Sequence, residues 1–432
     1  MSPDHFEATY LIETPHDPAK VAEVIAGEQS CGTFTRVAGE TDDVRARARA
    51  STLAVEHLET VNTPSLSNAL LERLGNRGPW HRARVTLQFP TANTRANLPT
   101  LVATVCGNLY DLGEVTGLRL ESVRVPDGYR RQFDLPKVGI EGTRAATGVR
   151  RGALVGTIIK PSVGLTTAET AALVAQLCAA GIDVIKDDEV SADSVHAPMA
   201  DRVPAVMRVI REHAERTGKQ VMYAFNITDE VDAMRRHADL VAREGGSCVM
   251  ASLNWIGHAG LQTLRRHTPL AIHGHRNGYG ALSRHPLLGI SVEAYQTLWR
   301  LGGVDHMHVH GLQGKFAQPD AEVEAAIADC YRPLGEDSDD VVMPIVSSGQ
   351  WAGTVQATWD AAGRDDVMFM AGGGILAHPD GAAAGVTSIR QAWQAAADGI
   401  SVNEAASQAP ELARALDFFG KTAAHGKPAR KD

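Results

Sequence analysis

The alternation of apolar and polar positions changes character once along the chain. Ahead of residue 137, three stretches (6–14, 83–90 and 118–125) alternate with a period of two, which predicts half-buried strands. Stretches 17–25 and 65–74 carry apolar residues at helical spacing, so residues 1–145 read as a small α+β domain. After a polar connection over 137–151, short apolar runs alternate with amphipathic ones. The runs 154–159, 182–188, 220–227, 248–254, 270–275, 306–310, 341–347 and 367–371 are expected strands. Between them, helices are expected over 171–180, 204–217, 231–244, 292–301, 321–328, 355–362 and 386–396. The first of these opens on a capping box, Thr166 to Glu169, and Gly181 stops it. Repeated βα units over about 250 residues predict a (β/α)₈ barrel for residues 146–432. An open doubly wound sheet is the rival, weakened because no G-x-G-x-x-G turn follows the first strand.

Composition narrows the setting. At 432 residues, 44% hydrophobic and 22% charged, the chain is expected to be a soluble protein of more than one domain. A net charge of -9 argues against nucleic acid or an anionic membrane as partner. No apolar run approaches the roughly 20 residues of a membrane helix. Met1 to His5 has the features of no secretion signal, and the five cysteines form no C-x-x-C pair. A reducing cytoplasm is therefore the expected location.

The candidate chemistry lies where the expected strands end. The second barrel strand closes on Lys186-Asp187-Asp188-Glu189, and alternation puts Lys186 and Asp188 on one face with Glu189 at the tip. Buried ions without partners are costly, so the group calls for a neutralising ligand, most simply a divalent cation. The first strand ends at Lys160, the fifth at His273, His275 and Arg276, and the sixth at His306, His308 and His310, with Lys315 beyond. Ser347-Ser348-Gly349 and Gly372-Gly373-Gly374 end the last two, where bare backbone amides bind anions. A phosphorylated small molecule is the expected ligand, with Arg276 and Lys315 as clamps. A K-D-D-E run alone is ordinarily a solvated turn, and His-x-His a structural pair. Their joint placement at strand ends is what points to a site.

These segments resemble the large subunit of ribulose-bisphosphate carboxylase. The likeness is carried by Thr157-Ile158-Ile159-Lys160-Pro161, Gly181 to Glu189, His275-Arg276, Gly303 to His308 with Lys315, Met343-Pro344 with Ser347-Ser348-Gly349, and Gly372 to Pro379. It reaches the first domain at Glu28 to Phe34 and at Gly107-Asn108. The resemblance implies a ferredoxin-like N-terminal domain, a TIM barrel, and a homodimer or multiple of dimers whose sites take residues from the neighbouring subunit. It implies Mg²⁺ held by Lys186, Asp188 and Glu189, with CO2 bound as a carbamate on Lys186. It also implies Lys160 as acid/base, His275 as a further polar group at the centre, and Lys315 on a mobile loop. Arg276 and His308 would hold one phosphate. Ser347, Gly349, Gly372, Gly373 and Thr33 would form a second anion pocket, with Glu28 and Asn108 reaching across the interface.

Departures from the carboxylase pattern imply which kind of relative this is. Ser162 stands where the carboxylase has a second lysine, Ile158 where it has threonine, Phe34 where it has tryptophan and Ser348 where it has glycine. The loop ahead of Lys315 reads Val309-His310-Gly311-Leu312-Gln313-Gly314. A lost cation removes electrostatic stabilisation of about a few kcal/mol. The resemblance is therefore to form IV, the RuBisCO-like proteins, which keep the enolising machinery without CO2 fixation. His273 to Tyr279 and Ser347 to Trp351 resemble the 3-oxo-isoapionate 4-phosphate transcarboxylase/hydrolase branch of sugar-acid catabolism. The alternatives are a 2,3-diketo-5-methylthiopentyl-1-phosphate enolase or 5-methylthioribulose-1-phosphate isomerase of methionine salvage, and a non-catalytic binding barrel. A zinc amidohydrolase would need His-x-His on the first strand, where this chain has Lys160.

Overall fold

The computed structural model describes residues 2–32, 36–336 and 338–424. It divides into one unit of Met1–Leu135, Gly278–Gly303 and Pro333–Asp340, and a second of Pro136–Asn277, Val304–Arg332 and Val341–Asp432.

In the first unit, β1 (His5–Thr14), β2 (Ser51–Val61), β3 (Trp80–Pro90) and β4 (Gly117–Arg124) form an antiparallel sheet in the order β4-β1-β3-β2. Helix Pro18–Glu28 lies between β1 and β2 in the chain, and helix Leu98–Cys106 between β3 and β4, which is the ferredoxin-like arrangement. The alternation expected for β1 is present: Phe6, Ala8, Tyr10 and Ile12 are buried, against Val85, Leu87 and Phe89 of β3. The short strand Leu288–Ile290 adds in parallel to β4. Sequence pattern overlooks β2, because as an edge strand it is exposed along nearly its whole length and its apolar residues follow no buried face. It overlooks Leu98–Cys106 as well.

The second unit is a closed barrel of eight parallel strands. In chain order they are β5 (Leu154–Ile158), β6 (Val184–Lys186), β7 (Met222–Asn226), β8 (Cys248–Ser252), β9 (Ala271–His275), His306–His308, Met343–Val346 and Met368–Met370. Each falls within an expected run, trimmed at its ends. The barrel is filled by Leu154, Val184, Met222, Met250, Met343, Ile345, Met368 and Met370, a core in which flexible thioethers close the gaps between branched residues. The Thr166–Glu169 capping box forms. Helix Gly139–Thr147, which a boundary at 145 would cut, belongs wholly to this unit. The N–H groups of Lys137, Val138 and Gly139 at its start donate to Asp305 Oδ1 at 2.9, 2.6 and 3.0 Å. Helix Leu253–His267 begins directly after β8, and Gly257 at φ 68° interrupts it, which breaks the periodicity that would reveal it in sequence. The sixth strand stops at His308, and His310 turns the chain at φ 65°.

Candidate active site

The C-terminal ends of the barrel strands gather the polar side chains. Lys186, the last residue of β6, points inward and is 2% exposed. Its Nζ donates to the Asp187 carbonyl at 2.8 Å, sits 3.6 Å from Met250 Sδ and lies 3.9 Å from Glu189 Oε2. Burial lowers its pKa from the ordinary lysine value against the pull of the three neighbouring carboxylates, which favours a neutral amine. Asp188 is buried and Glu189 half-buried. Burial pushes the Asp188 carboxyl up, but the hydrogen bond and charge of Lys160 outweigh it and hold the pKa low. Lys160, beyond the end of β5, reaches Asp188 Oδ2 at 2.5 Å and Ser162 Oγ at 2.8 Å.

Three imidazoles cluster beside this group, tilted or edge-on to one another. His275 Nε2 lies 3.5 Å from Glu189 Oε2, and its ring is 4.2 Å from that of His308. His308 and His273 share a hydrogen bond between their Nε2 atoms at 2.8 Å, and His308 Nδ1 lies 3.3 Å from Ser347 Oγ. Burial drives the pKa of all three well below the ordinary histidine value, so they are neutral hydrogen-bonding groups near pH 7. Arg276 is buried and its Nη2 donates to Gln318 Oε1 at 2.5 Å. Lys315 is exposed; its amide N–H donates to the Ser348 carbonyl at 3.3 Å and its Nζ lies 5.3 Å from the Phe316 ring centre. Gly349 turns at φ 85° beneath Lys315. Gly372 caps the short helix Gly373–Leu376; a Cβ on Gly373 would meet nothing within 4 Å, and one on Gly372 only Ile158 Cδ1 at 3.7 Å.

The structure thus brings together Lys160, Lys186, Asp188, Glu189, His275 and His308, and places Ser347 against His308. Glu28 and Asn108 are exposed residues of the first unit, at the end of helix Pro18–Glu28 and the start of the turn Asn108–Asp111. Thr33 and Phe34 lie outside the described residues. Sequence reading overlooks Asn226, the last residue of β7. Its Nδ2 donates to the carbonyls of Asp188 and Glu189 at 3.1 and 3.2 Å. The signal was available, because a polar residue closing an otherwise apolar barrel strand is a rim position.

The donors suit a hard divalent cation. Two carboxylates stand beside a buried amine whose nearest carboxylate oxygen, Glu189 Oε2, is 3.9 Å away, and no thiolate lies among them. Matching Ribulose bisphosphate carboxylase large chain, catalytic domain, covers residues 139–419, and the N-terminal domain of the same family matches residues 2–129. The chain belongs to this family. Among RuBisCO relatives, it is 47% identical to the 3-oxo-isoapionate-4-phosphate transcarboxylase/hydrolase of Xanthobacter autotrophicus, over 95% of this chain and 98% of that one. It is 39% identical to the 3-oxo-isoapionate-4-phosphate decarboxylase of Rhizobium etli, over 95% and 98%. The structure of a rubisco-like protein from Burkholderia fungorum superposes with a TM-score of 0.92 at 63% identity, covering 96% of this chain and all of that one. The two curated relatives are named for activities on 3-oxo-isoapionate 4-phosphate and the solved neighbour as a rubisco-like protein, none of them as a CO2-fixing carboxylase.

Proposed function

We propose that the chain is a Mg²⁺-dependent RuBisCO-like enzyme acting on 3-oxo-isoapionate 4-phosphate by transcarboxylation and hydrolysis. The observation that carries the chemistry is the buried Lys186 amine at the base of the Asp188 and Glu189 carboxylates. The substrate rests on likeness to the Xanthobacter autotrophicus enzyme along nearly the whole of both chains.

Lys186, Asp188 and Glu189 are the residues that would hold the cation. Carbamylated by CO2, with the amine proton lost to solvent, Lys186 would offer an anionic oxygen donor in place of an amine. When bound, Mg²⁺ supplies Lewis-acid stabilisation of the negative charge that develops as a 3-oxo acid becomes an enolate. Lys160, exposed at the rim and held 2.5 Å from Asp188, delivers or removes the proton at the reacting carbon. His275 orients Glu189 from 3.5 Å. Arg276 supplies the charge for one end of the substrate, and neutral His308, held by His273 and Ser347, lines that end. Ser347 and the amides of Gly349, Gly372 and Gly373 take the phosphate, and Lys315 covers it from its loop. Ser162 hydrogen-bonds Lys160 where a carboxylase carries another cation, which supports chemistry other than CO2 fixation.

We also read the protein as a cytoplasmic homodimer or multiple of dimers. Val163, Val190, Val195 and Phe316 on loops of the barrel unit and Trp255 on helix Leu253–His267, all exposed, support a face that another chain covers. Glu28, Asn108 and Thr33 would complete the partner's site. All five cysteines are free, and among the described residues no helix is long and apolar enough to cross a membrane. The test is turnover of synthetic 3-oxo-isoapionate 4-phosphate beside a methylthiopentulose phosphate, each with Mg²⁺ and bicarbonate. Turnover of the methylthio compound alone would move the protein to methionine salvage.

A further inference from the structure

Asp187 is the member of the Lys186–Glu189 run that the mechanism above leaves without a task. Strand alternation turns it away from the barrel interior, yet it is only 2% exposed. Its Oδ1 accepts from the Tyr223 hydroxyl at 2.5 Å, and its Oδ2 accepts from Asn226 N at 2.9 Å and Arg202 Nη2 at 3.3 Å. Arg202, 1% exposed, also donates to the carbonyls of Ala192 at 2.8 Å and of Ala197, so it holds the loop that follows Glu189. The backbone of Asp187 is engaged on both sides. Its N–H donates to the Ala224 carbonyl at 3.2 Å, and its carbonyl receives Lys186 Nζ at 2.8 Å.

A buried carboxylate is costly unless fully hydrogen-bonded, and a Val or Leu would fill this position at no electrostatic cost. What the carboxylate supplies here is direction. Tyr223 and Asn226 of β7 and Arg202 of the preceding helix Met199–Thr217 lock the 187 side chain, and Asn226 locks the next two carbonyls. The Lys186 amine and the Asp188 and Glu189 carboxylates are thereby held on one side of a segment that no longer has a strand's ladder to steady it. We infer that Asp187, gripped by Tyr223 and Arg202, is a positioning residue for the divalent-cation site. The inference rests on the functional reading above. Outer partners of metal ligands typically contribute about 10- to 100-fold in affinity.

The experiment uses Mn²⁺ as the probe, titrated into the full chain in bicarbonate buffer, with free Mn²⁺ read by electron paramagnetic resonance and the thermal midpoint measured alongside. Tyr223→Phe removes one hydroxyl and leaves the ring packed on Phe225, 4.3 Å away. Asp187→Asn keeps the shape and removes the charge. The expected result is Mn²⁺ binding about tenfold weaker in Tyr223→Phe and weaker again in Asp187→Asn, with the Tyr223→Phe midpoint within a few degrees of the parent chain. Parent-like Mn²⁺ affinity in both variants would overturn the inference, as would loss of binding that only tracks loss of the fold. If the parent chain itself binds no Mn²⁺, the functional reading fails, and this inference with it.

Discussion

Replacing Lys186 with methionine separates what the site costs from what it does. In the chain without CO2 or metal, the Lys186 amine is 2% exposed, bonded to one carbonyl at 2.8 Å, and no nearer than 3.9 Å to Glu189. Methionine matches its length and would lie beside the Met250 thioether. Removing a polar amine that burial has stripped of water returns about 1–3 kcal/mol of desolvation. Against this stands the lost hydrogen bond to the Asp187 carbonyl, about 1 kcal/mol, and the lost attraction to a half-exposed Glu189, at most about 1 kcal/mol. The balance is a gain of roughly 1 kcal/mol, or about 2–4 °C in the barrel's melting midpoint. Calorimetry of Lys186→Met in CO2-free, chelated buffer measures it, and turnover in Mg²⁺ and bicarbonate should be lost altogether. A variant that melts several degrees below the parent chain would show that the amine is well paired in the fold, and would refute the reasoning that a buried lysine with a lowered pKa is held ready for CO2.

Other positions give equally definite outcomes. Burial lowers His306 to about 4, against an ordinary value near 6.5, so between those limits the unfolded chain binds a proton that the folded chain refuses. Stability is therefore lost as pH falls from about 6.5 toward 4, by roughly 2–3 kcal/mol from this group, and His306→Gln should remove that part of the loss in urea melts at pH 7 and pH 4.5. Gly373→Ala should leave the melting midpoint within about 2 °C, since the new Cβ meets nothing within 4 Å, yet raise KM for a phosphorylated substrate about tenfold by crowding the amides that receive the anion. In the first unit, Glu13 is fully buried and accepts from Ser65 N, Ser65 Oγ, Arg82 Nε and Thr116 Oγ1 at 2.6, 2.7, 2.8 and 2.8 Å. Glu13→Gln aims an amide N–H₂ at donors and should cost about 2–4 kcal/mol in urea unfolding of that unit, with turnover at saturating substrate little changed below the transition.

The residues that sequence pattern makes legible are those whose polarity interrupts an apolar strand in their own segment. Lys186, His275 and His308 stand out because each closes a run that is otherwise buried, and Gly372-Gly373 because glycine pairs mark a strand end. Asn226 interrupts its strand in the same way, but its meaning lies in the carbonyls of Asp188 and Glu189, on the segment that follows the neighbouring strand. Asp187 reads as another surface acid until Tyr223 and Arg202 close around it, contacts that only the third dimension supplies. In the fold, β1 was legible because one of its faces is buried, whereas β2 at the sheet edge buries neither face and leaves no period to detect. The break at Gly257 hid a helix for a related reason, since one residue at positive φ resets the phase of the pattern.

The most direct test of the central claim follows one labelled carbon. The purified chain is supplied with 3-oxo-isoapionate 4-phosphate carrying ¹³C in its carboxylate, with Mg²⁺ and bicarbonate, and the label is traced by NMR. The account predicts consumption that depends on both Mg²⁺ and bicarbonate, with the label retained in a product carboxylate. Full consumption after exhaustive CO2 removal and chelation, or no consumption at all, would contradict it.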